Sequence, residues 1–123
     1  LAFDPSFTGE NGGEIRNVGS PEFFTEDFSA AVDYLGLLPS VDRNKIGAIG
    51  ICGLSRMALT AATSDTRIKA IATTSMYDMS KSMSRGYKNS YTREQRQKII
   101  EDLSQQRWDD AKSGNYELGL HEL

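Results

Sequence analysis

The stretch Lys45–Thr63, KIGAIGICGLSRMALTAAT, sets an apolar, glycine-bearing run directly against a helix-forming one, with the only cysteine of the chain at the seam. Ile46 to Ile51 reads as a strand whose two faces both call for small or aliphatic neighbours, the pattern of a buried parallel strand. Ser55 to Thr63 carries alanines, a leucine and a methionine and reads as a helix. Ile68, Ala70, Ile71 and Ala72, running into Thr73, Thr74 and Ser75, read as a second strand. Strand, helix and strand within about thirty residues predict a right-handed parallel βαβ unit, so the first half of the chain is α/β in character.

Cys52 then has the placing of a nucleophile on a sharp strand-to-helix turn. Such a turn needs small residues two before and two after the nucleophile, because larger side chains collide as the backbone folds back. Gly50 meets the first demand, and Leu54 occupies the second position. Gly53 would offer its backbone N–H to an oxyanion, and a helix starting near Ser55 would favour a thiolate. Against this stands the plainer reading of Cys52 as a small buried residue, since unpaired cysteine is among the most buried residue types. Ser55 offers a competing register, but Met57 then stands where a small residue is required and the strand would have to run through Gly53.

Other chemistries are set aside by spacing. Gly47, Gly50 and Gly53 recur at every third position, unlike the G-x-G-x-x-G of a dinucleotide site, and no Gly-Lys-Ser/Thr follows. There is no second cysteine for a dithiol pair, and one histidine with one distant cysteine makes no metal cluster. Neither a cofactor nor a metal is expected. The 123 residues suffice for one domain, and a net charge of -3 without long charge runs argues against nucleic acid or an anionic membrane as partner. No apolar run approaches the length of a membrane span. A lone cysteine forms no internal disulfide, which fits a reducing, cytoplasmic setting.

Working outward, Leu1 to Phe3 is a short apolar run closed by the turn former Asp4 with Pro5, and SFTGENGGEIRNVGS is a glycine-rich loop. Ser20-Pro21-Glu22 starts a helix whose apolar stripe is Phe24, Phe28, Ala31, Val32 and Leu35, with Gly36 as its stop. After Tyr77-Asp78 the composition changes, and MSKSMSRGYKNSY reads as polar and irregular. Thr92 and Gln95 form a capping box ahead of a long helix ending at Gly114, with Ile99, Ile100, Leu103 and Trp108 as its docking face. The expected division is 1–78 for the core and 79–123 for a helical excursion and tail. Asp78 reads as a turn residue more than as a catalytic acid. Met76, Tyr77 and Met79 either wall an acyl pocket or pack beneath the excursion. Arg56 is by default a surface residue, with attraction of an anionic substrate as the alternative. His121, in the tail, reads as a solvated residue and not as a general base.

In order and spacing, LAFDPSFTGENGG, FFTEDFSAAVDYLG, VDRNKIGAIGICG, RIKAIATTSMYDMS and REQRQKIIEDLSQQRWDDA resemble bacterial α/β-hydrolases related to dienelactone hydrolase, from Leu1 to about Lys112. Such proteins carry serine or cysteine in patterns like G-x-C-x-G-G or G-x-C-G-S-G-G; Gly50, Cys52 and Gly53 match, while Leu54, Ser55 and Arg56 depart from the expected small residues and glycines. The resemblance implies a partial α/β-hydrolase fold, a parallel βαβ core followed by the helical excursion. Leu1–Phe3, Ile46–Ile51 and Ile68–Thr74 would be its fourth, fifth and sixth strands. The third strand, the rest of the oxyanion hole, the catalytic acid and the histidine would lie outside this chain, making it a central fragment. The implied parent hydrolyses an ester or related acyl bond of a small-molecule substrate, with Cys52 attacking and the Gly53 N–H steadying the oxyanion. By itself the chain is then expected to be inactive, and its unpaired sheet edges favour self-association. The alternative is a catalytically inactive α/β module serving in binding or without independent function.

Overall fold

The computed structural model describes residues 1–14 and 16–117, which divide into two units between Tyr77 and Asp78. In the first unit, helix α1 (Pro21–Leu37) begins where the Ser20 hydroxyl accepts the Phe23 N–H, with Pro21 in the first turn. Phe24, Phe28 and Val32, spaced by four, are its buried stripe. The helix runs one residue beyond Gly36. It closes at Leu38, which is extended and donates its N–H to the Leu35 carbonyl, while Arg43 Nε donates to the Gly36 carbonyl at 2.6 Å.

A 3-10 turn at Arg43–Lys45 leads into β1 (Gly47–Ile51), which pairs in parallel with β2 (Ala70–Thr74) in the register Gly47↔Ala70 through Ile51↔Thr74. Helix α2 (Ser55–Ser64) connects them, giving the expected βαβ unit. The strands are shorter than the sequence suggested. Ile46 and Ile68 lie just outside the ladder as buried core residues, and the Lys69 N–H donates to the Ile46 carbonyl at 2.7 Å. The core gathers Phe24, Phe28 and Val32 of α1, Met57, Ala58 and Ala61 of α2, and the two isoleucines. Ala58 and Ala61 are wholly enclosed, and their small size lets α2 sit close to its neighbours. Burial of each large aliphatic or aromatic side chain contributes about 1.5–3 kcal/mol.

Two expectations are corrected here. Leu1–Phe3 form no strand, because no neighbouring strand among the described residues pairs with them; instead the Phe3 ring packs edge-on against Phe28 at 5.3 Å. The sheet is also buried on one face only. Gly50 points toward α2, whereas Ile49 and Ile51, on the opposite face, are 70% and 63% exposed. The glycine-rich loop between Asp4 and Ser20 is tightly built. Ser6 donates its N–H and its hydroxyl to the Asp27 carboxylate at 2.7 and 2.6 Å, and the Phe7 ring packs edge-on against Phe23. Asp4 is the turn former expected, accepting the Glu10 N–H.

The second unit holds α3 (Met79–Arg85), a 3-10 turn at Tyr87–Asn89, and α4 (Arg93–Ser113). Helix α3 falls in the stretch expected to be irregular; its only apolar residues are Met79 and Met83, one turn apart in a run of serines and basic residues. In α4 both bonds of the Thr92–Gln95 capping box form and Gly114 closes the helix in the left-handed conformation. No residue of α4 is buried, and Ile99, Ile100, Leu103 and Trp108 are all exposed. The helix rests on its caps and on i,i+4 pairs such as Lys98–Asp102 at 3.1 Å. Among the described residues no helix is long and apolar enough to cross a membrane.

Candidate active site

The backbone turns from strand to helix within a few residues. Ile51 is extended, Cys52 has φ 57, and by Ser55 (φ -56, ψ -39) the chain is helical. Cys52–Leu54 form one 3-10 turn, closed by the Ser55 N–H bonding to the Cys52 carbonyl. A non-glycine residue in the left-handed region costs about 1 kcal/mol or more, and such strain gathers at functional sites. The Cys52 side chain is exposed, which removes its reading as a buried core residue.

Close packing behind the turn explains the residues flanking it. A Cβ at Gly50 would lie 2.6 Å from Ser55 Cα and 2.9 Å from the Ala58 methyl, so only glycine fits there. Gly53 is buried within the 3-10 turn. Leu54, in place of the expected small residue, is helical (φ -77, ψ -10) and half-buried, so its side chain is accommodated. Ser55 is fully buried, its hydroxyl 2.9 Å from the Gly50 carbonyl and 3.1 Å from the Thr74 carbonyl. That enclosure removes it as a nucleophile and gives it a structural task that the sequence did not reveal.

Other candidates fall elsewhere. Asp78 caps α3, accepting the Lys81 N–H at 2.9 Å. Arg56 is exposed at the start of α2. Met76 and Tyr77 are exposed and Met79 is half-buried. His121 lies outside the described residues. Ser75, read from the sequence as the end of the second strand, instead lies directly after β2 with φ 51. Nothing in an Ala-Thr-Thr-Ser run signals a left-handed residue. Among the described residues, no three His, Cys, Asp or Glu side chains gather as a metal would require.

A cleft of about 540 Å³ opens at the other end of the strands, between the end of α1, Ile46 and Lys69. Its basic side chains are turned to the protein. Arg67 pairs with Asp33 and Asp65, Arg43 with the Gly36 carbonyl, and Lys69 with the Thr66 carbonyl.

Residues 23–117 match the family described as BAAT / Acyl-CoA thioester hydrolase C terminal. The chain is 60% identical over 125 residues to an uncharacterized protein, PA2218, of Pseudomonas aeruginosa, covering 100% of this chain and 34% of that protein. A crystal structure of PA2218 superposes with a TM-score of 0.88 at 54% identity, over 98% of this chain and 40% of that one. The uncharacterized protein YcjY of Escherichia coli is 39% identical over 118 residues, covering 96% of this chain and 39% of YcjY. A thiohydrolase of Eupenicillium brefeldianum is 36% identical over 69 residues, covering 56% of this chain and 22% of that enzyme. The chain thus spans little more than a third of the length of PA2218 and YcjY. The α/β-hydrolase kinship stands at the level of the matched family: the chain belongs to the BAAT / acyl-CoA thioester hydrolase C-terminal family, which is related to the α/β-hydrolases.

Proposed function

We propose that this chain carries the nucleophile of an acyl thioester hydrolase and that Cys52 is that nucleophile. The observation that carries the reading is the exposed Cys52 held at φ 57 between β1 and α2, in a chain of this family. The thiohydrolase name of the fungal relative points to the same bond. In this reading the Cys52 thiolate adds to the thioester carbonyl, and the Gly53 N–H bonds the resulting oxyanion. Collapse expels the substrate thiolate and leaves an acyl group on Cys52. Water then cleaves that group, releasing a carboxylic acid and restoring the thiol. The ester cleavage implied by the likeness to dienelactone hydrolases is the same attack with an alcohol as leaving group.

The test is intact-mass spectrometry of the chain with a medium-chain acyl-CoA. One acyl group should appear on Cys52, at least about tenfold faster than on the same cysteine in the denatured chain, because the turn orients the thiol. Cys52→Ala should take none. Sustained turnover by the chain alone is not expected, since release of the acyl group needs a base to activate water. Acylation no faster than in the denatured chain would sink the proposal and leave the non-catalytic module in its place.

A further inference from the structure

We infer that Ser55 is a positioning residue for Cys52: its hydroxyl ties together the ends of both strands, so that the turn holds the cysteine in its left-handed conformation. The functional meaning of this inference rests on Cys52 as nucleophile; its geometry does not. Among the described residues Ser55 is the largest side chain with essentially no exposure, and a hydroxyl so enclosed is costly unless it is hydrogen-bonded. Its single proton lies between two carbonyls, Gly50 on β1 at 2.9 Å and Thr74 on β2 at 3.1 Å.

Thr74 belongs to the last rung of the ladder, and Gly50 lies one rung before it. Ile51 and Thr74 are the last register partners, and each is followed at once by a left-handed non-glycine residue, Cys52 at φ 57 and Ser75 at φ 51. Both strands therefore break at the same level. Two such residues together are unfavourable and persist only where their surroundings over-determine them. The serine hydroxyl reaches both carbonyls from the first turn of α2, one on each strand. Gly50 makes the approach possible, since any side chain there would push Ser55 away. An alanine at position 55 would fill nearly the same space and leave both carbonyls without this donor.

The chain has one cysteine, so thiol chemistry reports on this turn alone. Ser55→Ala should move the backbone chemical shifts of Cys52 and Ser75 away from left-handed values and slow alkylation of Cys52 by iodoacetamide about threefold or more, as the strained turn relaxes. Ser55→Thr, which keeps the hydroxyl, should restore both readouts. A folded Ser55→Ala protein with unchanged shifts and rate would overturn the inference, as would a folded Ser55→Thr protein that restores neither. Should Ser55→Ala fail to fold, the unaltered chain decides. The Ser55 hydroxyl proton should exchange slowly enough to be seen by NMR, and exchange as fast as at the exposed Ser80 would equally overturn the clamp. None of these measurements requires Cys52 to be acylated, so the proposed function can fail while the clamp stands, and the reverse.

Discussion

At Gly50 the absence of a methyl group decides whether the turn can form. The Cβ of an alanine would stand 2.6 Å from Ser55 Cα, a backbone atom that cannot swing aside, and 2.9 Å from the Ala58 methyl. Gly50→Ala should therefore destabilise the chain by about 2–3 kcal/mol or more, read by denaturant unfolding. Gly47→Ala is the contrasting case. Its nearest contact would be the Ala70 carbonyl at 3.1 Å on the open face of the sheet, so a cost of no more than about 1 kcal/mol is expected. The demand at Gly50 was legible, because any strand that folds straight back into a helix imposes it. So was the special placing of Cys52. The task of Ser55 and the conformation of Ser75 were not, since both depend on which carbonyls the second strand brings alongside the first. That is a matter of register, and residue types do not encode it locally.

Among the elements, legibility followed how local the cause was. Caps and stripes were readable: Ser20 and Pro21 for α1, the Thr92–Gln95 box for α4, Gly114 for its end. Helix α3 was not, because its signals are weak: Asp78 as cap and the pair Met79 and Met83 in an otherwise polar run. Since α4 buries no residue, its caps matter more than packing. Thr92→Ala should cost about 1 kcal/mol locally and appear as lost helicity in far-ultraviolet circular dichroism, without moving the main unfolding transition. The turn between α2 and β2 is joined to α1 by charge: Arg67 bonds both Asp65 and Asp33. Hydrogen bonding from Arg67 holds the Asp65 carboxyl well below the usual carboxylate range, against the opposing effect of its burial. A carboxyl more acidic in the folded chain stabilises fully above its unfolded value of about 3.9 and loses that contribution as pH falls below it. The stability difference between the unaltered chain and Asp65→Asn should be flat above about pH 5 and shrink below about pH 4. A difference that grows on acidification would refute the assignment.

Across the whole chain, the two-stranded pair departs from the rule for parallel sheets, which are covered on both faces. The strand composition does call for cover on both sides, and α2 supplies it on one. Ile49 and Ile51 project from the other face and stand largely in solvent, beside Ala72, the register partner of Ile49. The sequence could not show this, because an aliphatic strand reads alike whether or not its second neighbour is present. The exposed pair makes a sharp expectation possible. If these isoleucines were core residues, replacing both with threonine would remove several kcal/mol, at about 2 kcal/mol or more per buried aliphatic side chain. As they stand, the double variant Ile49→Thr, Ile51→Thr should change unfolding free energy by no more than about 1 kcal/mol, since threonine keeps the β-branching that suits a strand. It should also weaken the binding of an apolar fluorescent dye that the unaltered folded chain takes up on this face. Loss of folding in the double variant would show that the face is covered after all. Undiminished dye binding would place the accessible apolar surface elsewhere, with the bare side of α4 as the next region to substitute.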